Sequence, residues 1–172
     1  TIEPGESHTY RFTAHRAGAW LYHCSTSPMS LHIANGMFGA VIIDPPDLEP
    51  VDREYVVVQS EMYLGSQGRF ADSEKIAAEA ADLVVFNGHA TQYREHPLSA
   101  VVGERVRVWV VVAGPSRPTS FHVVGSQFDA VYYEGAYHLG GPGSETVGGG
   151  QALALQPGQG GFVELSFPEE GT

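Results

Sequence analysis

The stretch His23-Cys24-Ser25-Thr26-Ser27-Pro28-Met29-Ser30-Leu31-His32-Ile33-Ala34-Asn35-Gly36-Met37 decides how the rest of the chain is read. It places a thiol, an imidazole and a thioether on one short connection between two apolar runs, Ala19 to Tyr22 before it and Val41 to Ile43 after it. Both runs read as strands. Cys24 then closes one strand, His32 lies on the following loop, and Met37 precedes the next strand, so the three side chains can converge. Cys24 is the single cysteine of the chain, which excludes an intramolecular disulfide and any site built from several thiolates.

Outward from this stretch, short apolar or alternating runs recur between turn residues. They are Tyr10 to Thr13, Tyr55 to Val58, Leu83 to Phe86, Arg105 to Val112, Phe121 to Val124, Ala130 to Tyr133, Ala152 to Leu155 and Phe162 to Phe167. All read as strands. Only Asp72 to Ala81, with Asp72 or Ser73 as a cap, favours a short helix. The 21 glycines and 11 prolines punctuate the runs, as suits an all-β Greek-key sandwich. Asp44-Pro45-Pro46-Asp47-Leu48-Glu49-Pro50 sustains neither helix nor central strand and reads as a linker.

Composition narrows the function classes. Over 172 residues, nine Arg and Lys face twenty Asp and Glu, a formal net charge of -11. No basic surface offsets a phosphate backbone, so nucleic-acid binding is not expected. The longest apolar runs, such as Val106 to Ala113, stop well short of the roughly 20 residues a membrane span needs.

A weak repeat sets the organisation. Glu3-Pro4-Gly5, a strand and Gly18 match Gln156-Pro157-Gly158, a strand and Gly171 at one constant offset. This predicts the same hairpin in two tandem domains: residues 1–46 as the C-terminal portion of one, 47–52 as linker, and 53–172 as a second domain without its last strand. The sequence is then expected to be an internal piece of a longer protein.

Cys thiolate, His and a weakly held Met are donors of a mononuclear electron-transfer copper, whose fourth ligand is a second His. Taken singly, Cys24, His32 and Met37 each have an ordinary packing role; their order and spacing in an all-β chain favour copper. His23 adjoins Cys24, and successive residues of a strand face opposite ways. A metal held by His23 would therefore be a second one.

The runs Tyr22-His23-Cys24, His32 through Met37, and Gly39-Ala40-Val41 resemble the copper-containing nitrite reductases, two-domain cupredoxins of the multicopper oxidase superfamily. Val85 to Gly88, Val102 to Val106 and Phe121 to Gly125 extend the resemblance across the linker. It implies that Cys24, His32 and Met37 hold a type 1 copper and that His23 holds a type 2 copper. It also implies that His122 hydrogen-bonds the substrate and that Val124 lines its pocket. The implied reaction is one-electron reduction of nitrite to nitric oxide, in a periplasmic or secreted homotrimer fed by a small electron-donor protein, with the remaining ligands outside residues 1–172. A laccase-like oxidase and a type 1 electron carrier without a working second site are the alternatives. Laccases carry a His on both sides of the Cys, and here Ser25 follows Cys24. His8, His15, His89, His96 and His138 match no ligand position and are expected to cap turns or lie on the surface.

Overall fold

The run Arg105-Val106-Arg107-Val108-Trp109-Val110-Val111-Val112-Ala113-Gly114 forms a strand buried along nearly its whole length. A strand hidden on both faces must be covered twice, and the rest of the architecture does this. In a computed structural model describing residues 2–145 and 148–171, the elements are β1 (Gly18–His23), α1 (Met29–Ala34), β2 (Phe38–Ile43), β3 (Arg53–Met62), α2 (Ser73–Ala77), β4 (Leu83–Phe86), α3 (Gln92–Glu95), β5 (Arg105–Gly114), β6 (Thr119–Phe121), β7 (Ala130–Tyr133), β8 (Ala136–Leu139), β9 (Leu153–Leu155) and β10 (Gly160–Ser166).

The central sheet has the order β4-β3-β5-β10-β7-β8, while β1-β2 and β6-β9 form separate two-stranded sheets. The β3–β5 pair is parallel and the other pairs are antiparallel. The pleat of β5 sends Val106, Val108, Val110 and Val112 to one face, where they pack with Phe128, Leu153, Leu155 and Val163. Trp109 and Val111 point the other way, to Ala19, Tyr132 and Phe162, with Leu21, Ala40 and Ile42 of the β1–β2 hairpin over them. The sandwich expectation holds: β6 and β9 cover one side of the sheet, and β1 and β2 the other.

One close backbone approach makes this packing possible. A Cβ on Gly160 would lie 2.3 Å from the Ala19 carbonyl oxygen, so only glycine lets β1 settle on β10. Polar groups beneath the hairpin are paired. The buried Arg107 guanidinium donates to Glu164 at 2.6 and 2.8 Å, to Glu54 at 3.2 Å and to the Glu49 carbonyl at 2.5 Å. Trp109 Nε1 donates to Glu54 at 2.7 Å, and Arg105 also bonds Glu164. The linker is thereby tied to the middle of the sheet.

Several expectations need correction. Tyr10 to Thr13 is not a strand: no strand among the described residues pairs with it, and Tyr10 and Phe12 are 73% and 77% exposed. The two Pro-Gly segments share a turn, in which Glu6 N–H donates to the Glu3 carbonyl and Gln159 N–H to the Gln156 carbonyl, both at 3.0 Å. Only the second copy continues into a strand. β6 ends at Phe121 rather than reaching Val124, because its partner β9 offers only Leu153 to Leu155. The strand β8 and helices α1 and α3 went unread, whereas α2 starts where expected, with the Asp72 carboxylate accepting from the N–H groups of Glu74 and Lys75.

Candidate metal centre

The connection expected as a plain loop contains the helix α1, and how this helix ends brings the donors together. Met29-Ser30-Leu31-His32-Ile33-Ala34 buries Ile33 and packs against α2, β3 and β5. Beyond its last turn, Gly36 N–H donates to the Ile33 carbonyl at 2.8 Å and Met37 N–H to the His32 carbonyl at 3.1 Å. This is the Schellman pattern, which needs a left-handed residue just past the helix. Gly36 supplies it with φ of +90°.

In that motif the side chains three positions inside the helix and two beyond its cap meet. Here those positions are His32 and Met37, and His32 Nδ1 lies 3.4 Å from Met37 Sδ. Cys24 joins through the hairpin. The β1–β2 ladder ends with His23 opposite Phe38, and one step further Cys24 N–H donates to the Met37 carbonyl at 3.0 Å. The backbone thus ties Cys24, His32 and Met37 into one connected unit.

The Cys24 thiol is held below its ordinary pKa, chiefly by the Thr26 side chain and then by the Thr26 backbone, against a smaller opposing effect of burial. Hydrogen bonds to a sulfur favour its thiolate, the form that binds metal. The donor set fits copper: a thiolate-prone sulfur, an imidazole nitrogen facing a thioether, and no carboxylate among them. Among the described residues no three His, Cys, Asp or Glu side chains gather as a cation site. The set here has only two of those types, with Met37 as the third donor.

His23 Nδ1 lies 3.0 Å from the Cys24 carbonyl. A carbonyl only accepts, so Nδ1 is the donor, and in the neutral imidazole the lone pair is then on Nε2. The side chain is exposed. The same logic applies to His122, whose Nδ1 donates to the Gln151 carbonyl at 2.5 Å. His122 borders an open polar depression with Gly125, Ser126, Gln127 and Gln151. Val124 is 87% exposed and, among the described residues, belongs to neither apolar core.

The two groups of candidates are not brought together. His23 and Cys24 extend from the hairpin on the Trp109 face of the sheet, and His122 follows β6, which covers the Val110 face. Of the other histidines, His89 accepts from Thr91 N–H at 3.3 Å in a turn, and His138 stacks on Tyr133. Two contributors escaped the sequence reading. Thr26 carries no local signal, but Asn35-Gly36 after a run of helix formers is a recognisable helix stop.

Comparison with known proteins follows this geometry. Residues 1–47 match the family model described as multicopper oxidase. A copper-containing nitrite reductase of Neisseria gonorrhoeae is 42% identical over 139 residues, covering 77% of this chain and 36% of the relative. One from Cereibacter sphaeroides is 34% identical, over 80% of this chain and 42% of the relative. Among solved structures, the copper nitrite reductase of Nitrosomonas europaea superposes with a TM-score of 0.80 at 35% identity, covering 99% of this chain and 60% of that one. The chain therefore spans about a third to three fifths of the length of these relatives.

Fold and comparisons define a cupredoxin-like β-sandwich protein of the multicopper oxidase superfamily. Within that class, the proteins to which the chain is similar over part of their length are copper-containing nitrite reductases.

Proposed function

We propose that this chain is part of a copper-dependent oxidoreductase that reduces nitrite to nitric oxide. The observation that carries the reading is the meeting of His32 Nδ1 and Met37 Sδ beside Cys24 at a helix end whose residues are built to bring them together. Cys24, His32 and Met37 would hold a type 1 copper, and His23, through Nε2, would contribute to a type 2 copper. Bound there, copper supplies the single electron by which nitrite and two protons become nitric oxide and water.

The chain's residues have distinct tasks in this reading. The single peptide link between Cys24 and His23 is a short covalent connection between the two ligand groups. His122, its Nδ1 committed to the Gln151 carbonyl, orients nitrite through Nε2 and, when the ring carries a second proton there, delivers it, as an imidazole can near neutral pH. Val124 forms an apolar wall that excludes water once covered. Because His122 and His23 lie on opposite faces of the sheet, a site that uses both draws them from different subunits, consistent with a homotrimer. Residues 1–46 and 53–172 would belong to successive cupredoxin domains joined by 47–52. The compartment would be the periplasm or exterior, the electrons coming from a small donor protein; among the described residues no helix is long and apolar enough to cross a membrane.

The test is electron paramagnetic resonance of the copper-loaded gene product, with a copper count and a nitric oxide assay. Two coppers per chain, one type 1 and one type 2, with nitric oxide formed from nitrite, are expected. Four coppers with a coupled silent pair would replace this reading with an oxidase, and a type 1 signal alone with an electron carrier. Ser25 after Cys24 weighs against the oxidase, since the second flanking imidazole is missing.

A further inference from the structure

Asn35 lies between the two donors of the His32–Met37 pair, and its side chain makes hydrogen bonds in two directions. Nδ2 donates to the Leu31 carbonyl at 2.7 Å, the acceptor also used by the Asn35 backbone N–H at 3.1 Å. Oδ1 accepts from Ala71 N–H at 3.0 Å. The first bond is local to α1. The second crosses to the segment that leads into α2, where Asp72 caps the helix and Asp72 N–H donates to the Tyr63 carbonyl at 2.9 Å. That segment is firmly held, because the ammonium of Lys75 binds the Leu64 carbonyl at 2.9 Å and the Asp82 carboxylate at 2.8 and 2.9 Å.

We infer that Asn35 is a positioning residue that locks the His32–Met37 pair by clamping the end of α1 to the backbone of Ala71. This rests on the copper reading above. A six-residue helix is marginal alone, and α1 buries only Ile33, so its orientation depends on what it is tied to. The Asn35–Ala71 bond fixes the helix end two residues before Met37 and three after His32. Loss of the clamp leaves the Schellman turn held to Cys24 through the Met37 carbonyl alone, so the His32 end can swing about that bond while Cys24 keeps the place set by the β1–β2 ladder. Bonds that orient metal ligands without touching the metal typically change affinity by about 10- to 100-fold.

The copper-loaded full-length gene product is compared as wild type, Asn35→Ala and Asn35→Asp, by visible absorption and electron paramagnetic resonance, with copper retention against a chelator. Aspartate keeps an acceptor for Ala71 N–H but cannot donate to the Leu31 carbonyl. Asn35→Ala is expected to shift the balance of the thiolate-to-copper bands and to weaken copper retention about tenfold, while Asn35→Asp keeps the wild-type band balance. Unchanged bands in Asn35→Ala overturn the inference, as does an Asn35→Asp spectrum displaced as far as that of Asn35→Ala, which would assign the effect to the helix bond alone. A wild-type protein without a type 1 signal overturns the copper reading itself, and the clamp's role with it.

Discussion

Cys24 and Met37 face each other as the rung after the last pair of the β1–β2 ladder, joined by a 3.0 Å bond from the Cys24 N–H to the Met37 carbonyl. The connection that carries the donors is therefore closed at its base by sheet hydrogen bonding and shaped at its far end by a helix cap. Each device is open to test.

The helix cap depends on Gly36 at φ +90°, a conformation that L side chains rarely adopt. A Cβ there meets no other atom within 4 Å, so Gly36→Ala isolates backbone strain from crowding. Its expected cost is about 1 kcal/mol of stability, read by urea unfolding, together with an altered type 1 spectrum in the copper-loaded protein. A spectrum identical to wild type would show that the cap does not govern the His32–Met37 pair.

Crowding separates two other glycines. In Gly39→Ala the new methyl would meet the Tyr22 ring at 2.3 Å, but that ring is 58% exposed and can swing away. In Gly160→Ala it would meet the Ala19 carbonyl, which is backbone at the base of the hairpin. Thermal unfolding is expected to rank Gly160→Ala as the more damaging, at about 1–3 kcal/mol or more. Equal losses would mean that the hairpin moves freely over the sheet.

The Arg107–Glu164 pair is buried on both sides, each side chain 3% exposed. Truncating Glu164 leaves the buried Arg107 charge with Glu54 as its remaining carboxylate, at 3.2 Å, so Glu164→Leu is expected to cost up to about 3–5 kcal/mol. Adding Arg107→Met should recover part of that loss, as buried ion pairs are often replaceable by apolar residues of like volume. A double variant less stable than Glu164→Leu would point to the Arg107 contacts with Glu54 and Glu49 as the dominant ones.

Acid sensitivity follows from Asp82 and Glu104. Both carboxyls lie below their ordinary values, Asp82 mainly through Lys75 and Glu104 mainly through Arg53. A carboxyl depressed by folding stabilises the protein above its unfolded pKa, and that contribution disappears as pH falls through the folded value. The melting temperature is expected to drop as pH falls below about 4. Lys75→Met, which restores Asp82 toward its ordinary value, should flatten that drop; an unchanged slope would place the acid sensitivity elsewhere.

The strand content of the chain was largely open to reading, because alternation and apolar runs record burial directly. β4, β5, β7 and β10 occur within a residue or two of the expected spans. Tyr10 to Thr13 has an equally good pattern and is not a strand, since a ladder requires a second backbone and pattern alone cannot supply one. β8, with its Tyr137 and His138, lacked an apolar run and forms because β7 presents an open edge.

For the candidate centre, the residue types and their order were determined by the sequence itself: one thiol, one imidazole and one thioether at a spacing that can close on a single ion, with His23 adjoining. Tertiary structure decided which donors meet and which stay apart. His32 and Met37 meet because the chain turns left-handed at Gly36 and Asn35 ties the helix end to Ala71. His122 stays away because β6 and the hairpin cover opposite faces of one sheet. Distances along a chain are local information, whereas the face on which an element settles is chosen by the total burial of all of them.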